Sequence, residues 1–185
     1  ASVTLTSSGD VDLTGATVTA DKLNLVLTGA GKTLTTTATL FGLKASAYTN
    51  IAASCAITAG AGSHLTTDAG AFLNIANTKV LTLPLYADGA TLVPNGPIGG
   101  LGTLAITMSD GDVSTRLGTI LCPLTIASIN TAAANRVLTV LDDPSLAAVT
   151  VSSSDDDKTT TLDFAGRSAN ISGAVTIGTR GNILW

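Results

Sequence analysis

The chain has 185 residues, a mass of 18.3 kDa and a formal net charge of −4. Charged residues make up 12% of it, and its nine lysines and arginines are too few to neutralise a run of phosphates, which argues against binding to nucleic acid or anionic lipid. All thirteen acidic residues are Asp, and the sequence contains no Glu or Gln. Because Asp favours turns and the frequent Thr suits a pleated surface, this composition favours β-strands over helices.

In the first half of the chain, apolar and polar residues alternate in short stretches, which places one side of each predicted strand on a buried face. Residues 43–57 are rich in Ala and lack this alternation, which predicts a short helix or an irregular crossover. Residues 58–70 are rich in Gly and Ala and are predicted to form a loop. Pro84 cannot donate a backbone hydrogen bond, so its strand is predicted to be an edge strand or to end there. The predicted strands of this half are 2–6, 11–13, 17–19, 23–27, 33–40, 72–75 and 79–85.

The second half opens with strong turn signals. Pro94-Asn95-Gly96-Pro97 and the glycines that follow predict a flexible loop. We predict a single β-rich domain over residues 1–185, and an internal boundary, if there is one, near residues 94–102. Residues 131–136 are predicted to form one helical turn. The predicted strands are 104–108, 116–121, 124–129, 137–141, 149–151, 160–164, 174–177 and 182–185.

Short strands that recur about every eight to twelve residues, with turn signals between them, are typical of a sandwich or a barrel. We therefore predict an all-β fold, a β-sandwich or jelly roll with short antiparallel strands. A β-solenoid is the alternative. Gly-Ala turns recur at Gly15, Gly29, Gly70, Gly89 and Gly173, but their intervals are unequal, whereas a solenoid should show a fixed period.

Cys55 and Cys122 are the only cysteines, and they lie 67 positions apart. This spacing lacks the CxxC pattern of zinc and redox motifs, which leaves a disulfide or two buried thiols. We predict that Cys55 and Cys122 form a disulfide. Closing a loop of this length would stabilise the fold by about 4 kcal/mol.

Carboxylates cluster in three predicted turns, and turn carboxylates with backbone carbonyls can supply the six to eight oxygen ligands that calcium takes. None of the clusters has the spacing of an EF-hand, and solvated acidic turns are the alternative. Otherwise we expect no cofactor. Asn170-Ile171-Ser172 is an acceptor tripeptide for N-glycosylation, so a glycan on Asn170 is a further prediction. The predicted calcium ligands are Asp110, Asp112, Asp155, Asp156 and Asp157.

The sequence offers little for catalysis. His64 is the only histidine and lies four residues before Asp68, but a Ser-His-Asp site would need a nucleophile oriented against it, and the chain has no GxSxG motif. One His and two distant Cys cannot complete a tetrahedral zinc site. The glycine-rich run 95–102 lacks the Lys-Ser or Lys-Thr of a phosphate-binding loop. We therefore predict that the protein is not an enzyme.

Two stretches carry a resemblance to known secreted proteins. Residues 10–31, DVDLTGATVTADKLNLVLTGAG, resemble the rungs of filamentous-haemagglutinin-like adhesins. Residues 161–178, TLDFAGRSANISGAVTIG, are similar to passenger repeats of bacterial surface autotransporters. The resemblance covers about a quarter of the chain and implies display on the outside of a bacterial or archaeal cell, with structural work.

These observations predict an extracellular structural subunit that assembles with copies of itself into a filament, pilus, sheath or surface layer. The chain begins with Ala-Ser-Val, which suits an end left by signal-peptide removal. No apolar run is long enough to span a bilayer, so we expect no membrane insertion. An adhesive module of a surface protein and a viral capsid or decoration protein are the alternative functions.

Both ends of the chain resemble strands, and a free strand can complete the sheet of a neighbouring subunit. We therefore predict that one end pairs with another copy by strand exchange. The predicted contact residues are Val3, Leu5, Val175, Ile177, Ile183 and Trp185.

Overall fold

The computed structural model describes residues 1–85, 90–108, 111–129, 134–154 and 157–185. Every regular element in these ranges is a β-strand, which confirms the all-β prediction, and they contain no membrane-spanning helix. The strands are β1 (Ser2–Ser7), β2 (Val11–Asp12), β3 (Lys22–Leu27), β4 (Lys32–Thr35), β5 (Thr39–Leu40), β6 (Gly42–Ala45), β7 (Thr49–Ile51), β8 (Cys55–Ile57), β9 (His64–Thr67), β10 (Leu73–Ile75), β11 (Val80–Leu85), β12 (Thr91–Pro94), β13 (Ile98–Gly100), β14 (Thr103–Met108), β15 (Val113–Thr115), β16 (Thr119–Ser128), β17 (Arg136–Val140), β18 (Ser145–Ser153), β19 (Thr160–Asp163), β20 (Asn170–Ile171), β21 (Val175–Ile177) and β22 (Gly181–Leu184).

All described strand pairs are parallel, and each strand pairs with the one that occupies the same place a turn later. Asn24 pairs with Gly42, Gly42 with His64, and His64 with Thr91, at separations of 18, 22 and 27 residues. The chain therefore winds as a β-solenoid of about seven turns. The predicted antiparallel sandwich is wrong, and the fold is the one named as the alternative. Because the turns differ in length, the sequence shows no fixed period.

Each turn of the solenoid has three sides. Side 1 is built from β1, β3, β6, β9 and β12 and, further along, from β15, β17, β19 and β22. Side 2 is built from β2, β4, β7, β10, β13 and β20, and side 3 from β5, β8, β11, β14 and β21. The long strands β16 and β18 belong to sides 2 and 3 in succession, since β16 pairs with β13 at its start and with β14 at its end.

Inward-facing side chains stack in rows along the axis and form one hydrophobic core. On side 1, Leu25, Leu43, Leu65 and Leu92 follow one another in register, and none is more than 5% exposed. Alternate residues of each strand point outward, which gives the buried and half-buried alternation along β3 and β14. Full burial of a Leu side chain stabilises the fold by about 1.5–3 kcal/mol, so these rows are its main source of stability.

Two local predictions are wrong because the strands in those stretches are only three or four residues long. Residues 43–57 form no helix and instead contain most of β6 together with β7 and β8. The predicted loop 58–70 contains β9, whereas residues 17–19 form no strand. Pro84 is the second-last residue of β11 and pairs with Thr107 of β14, whereas β8 pairs only with Leu81 and Thr82, so the strand ends close to Pro84, as one of the two predicted alternatives had it. Residues 131–133 of the predicted helical turn lie outside the described residues, and Arg136 begins β17.

We expect Leu104→Ala to lower the free energy of unfolding by about 2–5 kcal/mol, because Leu104 is fully buried between Leu81 and Leu124 and its truncation leaves a cavity. Urea denaturation followed by circular dichroism measures this. Leu101→Ala is the matched control, since Leu101 is 78% exposed. Equal effects of the two substitutions would contradict the assignment of this core.

Candidate functional site

The N-terminal end of the solenoid leaves its core uncovered. In the part of the chain that the structure describes, β1 pairs only with β3, so its other edge has no partner there. Val3 and Leu5 are in register with the buried Leu23 and Leu25 and therefore face the core, yet they are 48% and 39% exposed. Among the described residues, no other turn lies over these two side chains.

The C-terminal end is open in the same way. Among the described strands, β21 pairs only with β18, with Val175 opposite Val149 and Ile177 opposite Val151. Val149 and Val151 are buried, whereas Val175 and Ile177 are 44% and 57% exposed. An apolar surface and a free strand edge thus coincide at this end too.

Trp185 covers part of side 1 at the C-terminal end. Its ring stacks on the buried ring of Phe164, with the centroids 5.0 Å apart and the planes inclined by 22°. Ile183 follows Leu162 in register and packs partly against the core. The indole is still 67% exposed, so Trp185 extends the apolar surface and does not close it.

The residues predicted to join subunits therefore fall into two groups at opposite ends. Val3 and Leu5 lie at one end, and Val175, Ile177 and Trp185 lie at the other, about seven turns away. With neighbouring strands about 4.8 Å apart, this separation is roughly 34 Å. Within this chain every terminal strand pairs with its own neighbour, and only its outer edge is left for another strand.

A groove of about 410 Å³ opens near the N-terminal end of side 3. It lies beside β5, whose only partner is β8, and residues 16–20 of the first turn run past it without forming a strand. Side 3 is thus the least complete side at this end. The groove is lined by Ala16, Val18, Ala20, Asp21, Ala38, Thr39, Phe41 and Thr58.

The predicted disulfide is absent, and both cysteines are buried free thiols. Cys55 pairs with Leu81, Leu81 with Leu104, and Leu104 with Leu124, which places Cys122 about three strand spacings from Cys55. This distance of roughly 14 Å exceeds the roughly 7 Å that a disulfide allows between Cα atoms. Burial raises the pKa of both thiols to about 11, so they are poor nucleophiles.

The Asp side chains in the turns accept hydrogen bonds from the backbone of neighbouring turns. The backbone N–H of Thr33 donates to Asp10, and that of Val137 donates to Asp112. Asp142 accepts from Leu117 at 3.0 Å and from Gly118 at 2.8 Å. These carboxylates link consecutive turns at corners. The sequence pattern did not predict this role for Asp. Its signal is an Asp placed directly before or after a predicted strand.

Within the described ranges, no group of three or more metal-ligating side chains comes together. Asp112 uses one carboxylate oxygen for Val137, and Asp157 is the other described member of the predicted calcium set. Asp110, Asp155 and Asp156 lie outside the described residues. Calcium at these turns therefore stays a prediction.

His64 and Asp68 bond to different partners and not to each other. The hydroxyl of Ser46 donates to Asp68 at 2.8 Å and Lys44 lies 3.0 Å away, and both lower the pKa of that carboxyl. The Nδ1 atom of His64 instead lies 3.1 Å from the carbonyl of Gly62. The imidazole sits over Gly42, on the outside of side 1, where a larger residue would collide with it.

Asn170 lies in β20, in the last turn, and is exposed. The predicted glycan would extend from side 2 at the C-terminal end. Ser172 completes the tripeptide, and its hydroxyl lies 3.4 Å from the carbonyl of Leu146. Modification of Asn170 stays a prediction.

No protein-family model, curated protein or solved structure matches this chain. The function of the chain must therefore be inferred from its own geometry. Its distinctive features are two open apolar ends and a long outer surface, and the described residues bring no catalytic set together.

We expect Cys55 and Cys122 to react with iodoacetamide at least about 100-fold more slowly in the folded protein than in guanidinium chloride, at mildly alkaline pH. The rise of the thiol pKa from 9.0 to about 11 removes about 99% of the thiolate. Intact-mass spectrometry without reductant should find two adducts after unfolding. Because the folded pKa is raised, the stability that the neutral thiols contribute is complete below pH 9.0 and is lost as the pH rises towards 11. If the unfolded protein carried no adduct, Cys55 and Cys122 would be joined by a disulfide after all.

We expect Asp142→Ala to lower the free energy of unfolding by about 1–3 kcal/mol, since two backbone N–H groups at a corner lose their acceptor. Thermal and urea denaturation measure the change. Asp21→Ala is the control, because Asp21 is exposed and forms a surface ion pair with the chain's amino terminus, so its loss should change stability little. A calcium chelator should not reproduce the effect of Asp142→Ala, and if it did, the carboxylate would be a metal ligand.

Proposed function

We propose that this chain is a non-enzymatic structural subunit that extends end to end into a filament outside the cell. The observation that supports the proposal is the uncovered core at both ends of the solenoid. Repeat proteins of this kind stay soluble as monomers when their terminal turns carry a polar outer face. Here the end strands instead expose Val3, Leu5, Val175 and Ile177 next to free backbone edges.

The direction of the strands favours a second copy as the occupant of each end. When two copies stack along one axis, β22 of one lies against β1 of the next on side 1, and β20 lies against β2 on side 2. The groove beside β5 leaves room on side 3 for Val175 and Ile177 of β21. Such a contact joins two different surfaces and does not close on itself, so it produces an open filament.

The size of this contact indicates how strong the association is. Full burial of a Val, Leu or Ile side chain is worth about 1.5–3 kcal/mol, and those at the ends are already about half buried, so each adds roughly 1 kcal/mol. Each ladder hydrogen bond adds roughly 0.5–1.5 kcal/mol. The loss of translational and rotational freedom costs about 4–15 kcal/mol. These terms are similar in size, so filament length should depend strongly on protein concentration.

An adhesive module is the second candidate function, and one observation favours it. Tyr48 and Phe72 stack on the outside of side 2, with ring centroids 5.6 Å apart and planes within 8° of parallel. Tyr48 is 45% exposed and offers an aromatic surface to a ligand. A single ring pair is a small platform, so the filament remains the leading proposal. The extracellular location rests on the sequence resemblance, and the free thiols give it no support.

We expect the purified chain to form filaments in negative-stain electron microscopy and a concentration-dependent mass series in analytical ultracentrifugation. Val3→Asp with Leu5→Asp should yield folded monomers, because carboxylates at the open end oppose burial. Val93→Asp is the matched control, since Val93 has a similar exposure of 42% but points outward in the middle of the rod. It should polymerise like the unchanged chain.

A monodisperse monomer at high concentration would overturn the proposal, and further turns of the same polypeptide would then be the better occupant of the ends. Filaments that persist in the Val3→Asp, Leu5→Asp variant would also overturn it. Circular dichroism of each variant confirms that the β-sheet signal is retained.

A further inference from the structure

Side 3 carries a continuous outer surface, which we call the Thr face. It consists of the outward side chains of β11, β14, the second half of β16 and β18. Apart from Pro123, all of them are small or β-branched. The members are Val80, Thr82, Thr103, Ala105, Thr107, Pro123, Thr125, Ala127, Ala148, Thr150 and Ser152.

The Thr face keeps its register although the turns differ in length. Thr82 pairs with Ala105, Ala105 with Thr125, and Thr125 with Thr150, and the same row continues to Thr176. Its one irregularity lies between Ile120 and Pro123, at the corner where β16 enters this side. Side chains therefore repeat about every 4.8 Å along the axis and about every 6.7 Å along the strands. The result is a two-dimensional lattice of methyl and hydroxyl groups.

The hydroxyl groups of this lattice are free to bind something outside the protein. Those of Thr82, Thr125 and Thr150 make no hydrogen bond within the described part of the chain, because they point away from it. Hydroxyls at the corners differ: Thr160 donates to Ser128 at 2.7 Å. The Thr face thus combines unused donors and acceptors with evenly spaced methyl groups.

Charge and aromaticity exclude several partners. The Thr face carries no charged or aromatic side chain, whereas the outside of side 1 carries Lys44, His64 and Asp163. Without cations it cannot hold phosphate, nucleic acid or anionic lipid. Without rings it lacks the stacking platform on which sugars bind.

An interface in which a second copy packs directly against the Thr face, without water between them, is also disfavoured. Four strands about 4.8 Å apart and about five residues long cover roughly 300 Å², well below the roughly 800 Å² that each partner buries in a standard interface. Small side chains gain little from burial, and their hydroxyls would have to lose water without assured partners. A partner that is itself made of water avoids this penalty.

We propose that the Thr face binds the surface of ice. Ice presents an uncharged, periodic array of hydrogen-bond donors and acceptors, which the free hydroxyls can join while the methyl groups sit between water molecules. The lattice of side chains on the Thr face repeats in two dimensions on the same few-ångström scale. This inference does not depend on the filament, since a single chain carries the whole Thr face.

The test measures thermal hysteresis, inhibition of ice recrystallisation and partition of the purified chain into a slowly grown ice fraction. The unchanged chain should enter the ice and slow recrystallisation. Thr125→Lys with Thr150→Lys should lower both activities at least tenfold, because two adjacent turns then carry charges. Ser114→Lys with Thr139→Lys is the matched control, since these residues are paired in the same way on the outside of side 1, and it should keep full activity.

Thr82→Val provides a second variant in case the double Lys variant does not fold, because Val keeps the shape of Thr and removes only the hydroxyl. It should weaken recrystallisation inhibition without lowering the melting temperature. Serum albumin is the reference protein that ice excludes. If ice excluded the unchanged chain to the same extent, the proposal would be overturned. Full activity of the folded Thr125→Lys, Thr150→Lys variant would overturn it as well. The proposal would also be overturned if neither protein bound ice and the unchanged chain formed lateral bundles that the Thr125→Lys, Thr150→Lys variant did not form. That result would show that the Thr face joins copies of the chain.

Discussion

The structure depends on backbone hydrogen bonds between consecutive turns. A buried peptide group that lacks a partner is costly, and in a parallel solenoid almost every partner lies in the turn before or the turn after. Where the chain bends and the ladder is interrupted, side chains complete the bonding: the hydroxyl of Thr67 bonds both the N–H and the carbonyl of Gly96. The carboxylate of Asp142 accepts hydrogen bonds from the backbone N–H groups of Leu117 and Gly118. Several of the Asp residues and some of the Thr residues of the sequence serve these corners.

Alternation within strands was readable from the sequence, but the relation between strands was not. Leu23, Leu25 and Leu27 predicted β3 correctly, because alternation marks a strand with one buried side whatever its partner does. Parallel and antiparallel neighbours leave the same alternation. A repeat would have identified the solenoid, but successive turns on side 1 differ by up to nine residues in length, from 18 to 27. The short strands within residues 43–57 were not predicted, because three residues are too few to show an alternation.

The candidate site was partly readable for a similar reason. Val3 and Leu5 alternate with polar residues, so a strand at the N-terminus was predictable, and so was its role as an edge. The sequence could not tell that these residues face an open core, since that follows from the register with Leu23 and Leu25. Nor could it exclude the disulfide, because the distance between Cys55 and Cys122 depends on how many turns separate them. The Thr face could not be predicted from the sequence, because its members come from four separate segments of the chain.

The spacing of paired residues also sets the order in which the molecule folds. Partners are separated by about one turn and contacts beyond adjacent turns are few, so the stability of the chain resembles a sum over turns and their nearest neighbours. A new turn can form wherever an existing turn offers its edge, and each one added presents the same kind of edge to the next. Folding should therefore spread along the axis from a nucleus of a few turns. The exposed edge of β1 or β22 on a finished molecule is, in this sense, a template on which an unfolded copy can begin to fold.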